Sequence, residues 1–161
     1  MKTLAQPPLN SQNGMALVVC LVFLLLLTLI GVASMQNATL QERMAGSVKL
    51  RNQSFQLAED ALRLGENAVQ GRGFNLPACG YCLPPPESTR VTAPGVYAGG
   101  GQSSGLPWLK AGDGFYVIQK LGTSKHAVNV PQGEVATLYR ITAVGLQGKS
   151  RSVLESIFAK Y

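Results

Sequence analysis

Charge is missing from a long opening stretch of this 161-residue chain: between Lys2 and Glu42 there is no Asp, Glu, Lys or Arg. The formal net charge of +6 therefore belongs almost wholly to the chain from Glu42 onward. There the Lys and Arg are scattered rather than gathered into a stripe, which argues against a nucleic-acid partner. Histidine is almost absent, with His126 alone, and cysteine is limited to Cys20, Cys79 and Cys82. These leave little material for a metal site or a His-based catalytic apparatus. No catalytic, cofactor-binding or metal-ligating residue is expected, and the chain is not expected to be an enzyme. The length bounds it to one domain plus at most one extra element.

What fills the uncharged stretch is an apolar run, Met15 to Met35, reading MALVVCLVFLLLLTLIGVASM. As a helix it covers about 32 Å, against a hydrocarbon core of about 30 Å. Thirteen of its residues are Leu, Ile, Val or Phe. Together they favour insertion by about 4–8 kcal/mol before the small and polar residues are counted. A cleaved secretory signal is the competing reading, since Gly31-Val32-Ala33 has small residues at cleavage-site spacing. The run is longer than a usual signal core, and a mostly polar segment with only Lys2 as charge precedes it. A lipoprotein role for Cys20 is weaker still, because bulky Val18 and Val19 precede it; a small core residue is the simpler reading. Counting charges near the span sets Lys2 against Arg43, Lys49 and Arg51. By the positive-inside rule alone the C-terminal part would be cytoplasmic, so the opposite orientation needs another determinant.

No proline interrupts Ala33 to Val69, and the residues are mostly good helix formers. Leu40, Met44, Val48, Phe55, Ala58, Leu62 and Val69 recur at helical steps and predict one apolar face. Gly71 and Gly73 supply a stop. A helix from Met15 to Gln70 would be about 84 Å long, uniformly apolar at first and amphipathic later. A plain membrane anchor needs only the first half.

After Phe74 the texture changes. Pro77, Pro84-Pro85-Pro86, Pro94, Gly99-Gly100-Gly101 and Pro107 read as a long irregular connection. Strands are predicted at 115–121, 136–144 and 151–159, the last two joined by a turn at Gly145-Leu146-Gln147-Gly148. Three antiparallel strands with one apolar face need a helix across them, and the segment 50–70 is the partner. The expected fold class is α+β, a long N-terminal helix packed on a small antiparallel sheet. The expected divisions are 1–14, a transmembrane half-helix 15–35, an amphipathic half-helix 36–70, and a head 71–161 with a loop 71–114 and a three-stranded sheet 115–161.

Specific residues also carry a resemblance. A polar leader ending in Gly14, followed by Met15-Ala16-Leu17-Val18-Val19, resembles the class III signal of type IV pilins. Leu40-Gln41-Glu42-Arg43-Met44-Ala45-Gly46 and Arg51-Asn52-Gln53-Ser54-Phe55-Gln56-Leu57-Ala58-Glu59-Asp60-Ala61-Leu62-Arg63 resemble the N-terminal region of PilX-type minor pilins. The stretch Tyr139-Arg140-Ile141-Thr142-Ala143-Val144-Gly145 is similar to theirs more loosely. The resemblance implies cleavage by a prepilin peptidase after Gly14, methylation of Met15 and a single pass through the inner membrane with an extracytoplasmic head. It also implies assembly with other minor pilins and the major pilin of a type IV pilus. Two positions depart from the pilin pattern. Ser11-Gln12-Asn13 stand where a basic residue usually precedes the processing glycine. Val19 stands where most pilins carry a Glu that neutralises the terminal amine of a neighbouring subunit in an apolar core, where an unpaired charge is costly. A subunit with no neighbour above it needs no such carboxylate, so a place at or near the filament tip is expected.

Other motifs have plainer explanations. Cys79-Gly80-Tyr81-Cys82 is a CxxC in a Pro/Gly-rich loop, and in an exported head it reads as a structural disulfide; a regulatory thiol pair and oxidoreductase chemistry are the alternatives. His126, beside Lys125, reads as a solvated loop residue. Glu59 and Asp60 point about 100° apart on a helix, which suits surface roles rather than acid–base work. The segment Gly99 to Gly105 lacks the Lys-Ser/Thr of a phosphate loop. Glu42 and Arg43 are candidate subunit contacts, or else a solvated helix face. Three functions compete with the minor pilin: a K-type pseudopilin of type II secretion, a single-pass envelope protein with a ligand- or DNA-binding head, and a thiol oxidoreductase. Adhesion, DNA uptake and motility all stay open.

Overall fold

The computed structural model describes residues 13–98, 102–128, 130, 131 and 133–161. The segment expected to be a leader lies, up to residue 12, outside the described residues, as does Gly99-Gly100-Gly101. A single helix, α1, runs Asn13–Gln70, with no break near residue 36. The chain divides into two compact units between Ala45 and Gly46.

The first unit is the helix up to Ala45, on which every described side chain from Met15 onward is exposed. Thr28 and Thr39 turn their hydroxyls back to donate to the carbonyls of Leu25 and Gln36, which hides those polar groups along the helix.

The second unit, Gly46–Tyr161, is the α+β head. Its strands are β1 (Gly95–Val96), β2 (Pro107–Ala111), β3 (Gly114–Ser124), β4 (Ala136–Gln147) and β5 (Ser150–Lys160), antiparallel in sequence order. The sheet thus has five strands, not the three expected over 115–161. Both additions come from the stretch expected to be irregular loop. β2 escapes the sequence pattern because it opens on Pro107 and presents one large inward side chain, Trp108, in five residues; β1 is two residues long. The last hairpin also differs. Gly145 stays inside β4, and the chain turns at Gly148-Lys149, where Gly148 has a φ of 57°. Only glycine adopts that conformation without strain.

The centre of the sheet, β3 and β4, is buried on both faces. Tyr139, Ile141 and Ala143 of β4 face the helix with Ile118, Val69 and Ala61. Between them, Thr142 and Val144 point the other way. Val144 joins Phe115, Val117, Trp108 and Val91 in a second core, with Tyr97, Leu106 and Leu146 around it. That second face is covered by the Pro-rich connection, including a one-turn 3-10 helix at Pro86–Thr89. Fixing so proline-rich a segment loses little backbone entropy, because its φ angles are already restricted.

The helix docks through only part of the apolar face that its periodicity suggested: Ala58, Leu62 and Val69 turn to the sheet, and the larger residues beside them do not. Phe55 is 47% exposed, Val48 55% and Leu64 48%. The buried positions are Ser54, Ala58, Ala61, Gly65 and Val69, with Leu62 partly buried. They recur at steps of four, three, four and four, a single stripe of mostly small side chains. Small residues let the helix backbone lie almost on the sheet, opposite Gly145, Gly114 and Ala143. At its far end Gly71 N–H donates back to the Ala68 carbonyl, and the Lys160 ammonium donates to the Gly71 carbonyl at 2.7 Å, a cation at the helix C-terminus.

Candidate functional site

The first candidate surface is the apolar part of α1. Met15, Leu17, Val18, Val19, Leu21 and Val22 open a series that continues through Val32 and Met35, all of it exposed. The helix is long and apolar enough to cross a membrane. In water such a surface is unfavourable by about 25 cal/mol for each Å² left bare, so lipid or other apolar helices must surround it. Val19, at the position expected to carry a pilin carboxylate, is one more apolar side chain, 48% exposed. Asn13 and Gly14 lie in the first turn of the helix, and Met15 follows at 73% exposure. Glu42 and Arg43 are exposed on the same helix, and among the described residues neither makes a salt bridge.

The second candidate is the Cys79–Cys82 loop. The two residues are joined as a disulfide with Cα atoms 5.3 Å apart. The loop is pinned to the sheet by polar groups that no sequence motif singles out. Ala78 bridges Lys120 in parallel, and Cys79 N–H donates to the Lys120 carbonyl at 3.0 Å. The buried Gln119 amide donates to the carbonyls of Tyr81 and Leu83 at 2.7 and 3.2 Å. Arg140 Nη1 donates to the Cys82 carbonyl at 2.5 Å while its Nε pairs with Glu155 at 2.8 Å. Gln119 and Arg140 are register partners on β3 and β4, so one pair of neighbouring side chains fixes the loop. Alternation along the strands would place both on the far face; it does not say that a cysteine loop lies above them. The arrangement offers hydrogen bonds to main-chain carbonyls.

The connection over the second face is held in the same way. Glu87 is fully buried, and its carboxylate accepts from the Ser104 N–H at 3.1 Å and from the Ser104 hydroxyl. A buried charge is tolerated only with such partners. Arg151 Nη1 donates to the carbonyls of Ser88 and Val91 at 3.0 and 2.8 Å. The Tyr97 oxygen accepts from the N–H groups of Thr92 and Ala93, each at 2.8 Å. Burial pushes the Tyr97 phenol up, but those donors and the nearby Arg151 charge favour the phenolate and hold its pKa below the ordinary value. These contacts are structural.

The remaining candidates separate. Glu59 pairs with Arg63 one turn on at 2.5 Å, while Asp60 faces another groove, so the two carboxylates do not converge. His126 is exposed on a loop, its backbone N–H donating to Ser124 Oγ. Among the described residues no group of three or more His, Cys, Asp or Glu is placed to hold a metal ion.

Residues 13–63 fit the family described as PilX N-terminal. No curated protein and no solved structure matches the chain. The matched segment covers the apolar opening of α1, the exposed Glu42-Arg43 pair and the first half of the small-residue stripe that docks on the sheet. Residues 13–63, which carry the bare apolar surface of α1 and the start of its docking stripe, are thus similar to the N-terminal region of the PilX-type minor pilins.

Proposed function

We propose that this chain is a minor pilin that takes part in initiation or tip assembly of a type IV pilus, and that it acts by packing rather than by catalysis. The observation that carries the reading is the division of labour within α1: wholly exposed and apolar from Met15 to Met35, docked on a sheet from Ser54 to Val69. The apolar half is stable in a bilayer and equally stable among other apolar helices, so exchanging one environment for the other is nearly neutral in free energy. The head then decides which neighbours are accepted. Other minor pilins and the major pilin are the partners in this reading. The inner membrane holds the chain before assembly, with the head on the extracytoplasmic side, and a prepilin peptidase processes it after Gly14. Val19 supports a place at the filament end, where no neighbouring amine needs a carboxylate.

The test is N-terminal sequencing of the membrane-extracted protein co-expressed with a prepilin peptidase. A chain beginning at N-methylated Met15 is expected; a chain beginning at Ser34 would identify an ordinary secreted protein and overturn the reading.

A further inference from the structure

The docked part of the helix separates two grooves of opposite charge in the head. On one side Arg51 and Phe55 face Arg151 and Val153 of β5, and an adjoining groove places Lys149 near Arg51. On the other side Asp60, Gln53 and Gln56 face Asp113 of the β2–β3 turn and Gln147. Helical geometry explains the separation: nine residues at about 100° each put Asp60 on the side of the helix opposite Arg51. Among the described residues none of Arg51, Lys149, Arg151, Asp60 and Asp113 makes a salt bridge; Glu59 and Glu155 are taken up by Arg63 and Arg140. Lys110, close in sequence to Asp113, shares a strand face with Trp108 and so points away from the helix.

We propose that these flanks are the two halves of one head-to-tail contact between copies of this chain, formed side by side in the membrane during pilus initiation. The inference rests on reading the chain as a pilus subunit. A second copy is the partner whose complementary charge the head itself supplies: it presents two unpaired carboxylates to two unpaired cations and the Arg151 guanidinium. Phe55, half exposed beside Arg51, gives the contact an apolar centre, with the charges around it setting orientation and excluding the reversed pairing. Because the two halves differ, the contact is heterologous and runs in one direction.

The test uses the full chain as two differently tagged copies, co-expressed in membranes with a prepilin peptidase, one bearing a photo-reactive residue at position 52. Cross-linking between the copies is expected. R51E/K149E in the probe-bearing copy lowers the yield roughly tenfold. Pairing that variant with a second copy carrying D60K/D113K restores it. Arg151 is left in place because it also holds the Ser88 and Val91 carbonyls. Equal protease resistance of the variants in the membrane separates charge effects from misfolding; if D113K disturbs its turn, D60K alone serves as the rescuing partner. The proposal is overturned if the copies do not cross-link, if reversal leaves the yield unchanged, or if exchanged charges fail to restore it. A cross-link that forms only to nucleic acid or to a different subunit overturns it as well. Sequencing the N-terminus from the same membranes keeps the two ideas apart: a chain processed after Gly14 but not cross-linked sinks the contact alone.

Discussion

Gly145 of β4 lies directly against the backbone of Ser54: a Cβ at position 145 would stand 2.0 Å from the Ser54 carbonyl oxygen and 2.4 Å from the Ala58 nitrogen. Both obstacles are main chain, so no side-chain rotation relieves them. Gly145→Ala is expected to destabilise the head by roughly 1–3 kcal/mol or more by pushing the helix off the sheet. Gly46→Ala, where nothing lies within 4 Å, is expected to stabilise the helix by up to about 1 kcal/mol. Denaturant unfolding of the two variants should therefore move in opposite directions; equal shifts would mean that the close approach at Gly145 is not present in solution.

Trp108 tests whether the second face of the sheet is a true core. It is fully buried among Val91, Phe115, Val117 and Val144. Trp108→Ala should cost about 3–5 kcal/mol and expose the connection over that face to proteolysis. A cost below about 1 kcal/mol, with proteolysis unchanged, would show that the connection is only a surface loop.

The Cys79–Cys82 disulfide closes a very short loop, and Gln119 and Arg140 hold the same loop independently. Cys79→Ser with Cys82→Ser should lower stability by no more than about 2 kcal/mol, the low end of the range for disulfides. Mass spectrometry of exported protein under non-reducing conditions should find no alkylatable thiol at either position; two modified cysteines would reject the bridge.

Tyr97 should ionise below the ordinary range for tyrosine, because the donors from Thr92 and Ala93 outweigh its burial. The sign comes from linkage. A depressed acid adds stability that is fully present above its unfolded value of about 10 and is lost as pH falls through the folded value. Ultraviolet titration should show an early fraction of the phenolate signal that vanishes in Tyr97→Phe. An unchanged curve would place the phenol in water.

Val19 links the helix to the question of location. Labelled heads of the native chain should be found at pilus ends, and even labelling along purified pili would sink the tip assignment. Val19→Glu supplies a carboxylate for the amine of a subunit above it and should move part of the label into the shaft.

Much of the architecture is legible in the residues. The apolar run, the uninterrupted helix stopping before Gly71 and the cores of β3, β4 and β5 come from hydropathy, the absence of proline and β-branched runs. The small-residue stripe is not fully legible, because Ser54 and Gly65 are unremarkable until a backbone is laid against them, while the larger Val48 and Phe55 set the visible period. Gly145 reads as a turn residue for a related reason: a glycine needed for close approach looks like one needed for its φ. The pinning of the cysteine loop by Gln119 and Arg140, and of the proline-rich cover by Glu87 and Arg151, joins residues far apart in sequence and leaves no local pattern.

The hydroxyl of Ser54 meets that of Ser152 across a sequence separation of 98, and Glu66 accepts from Ser156 across 90. During synthesis the helix is therefore complete long before its resting place exists, and contacts at that separation form slowly. A docking surface of leucines would be a target for aggregation throughout that wait. A stripe of serine, alanine and glycine offers almost nothing sticky to passing chains, so the arrangement that permits tight seating at the end also makes the delay safe.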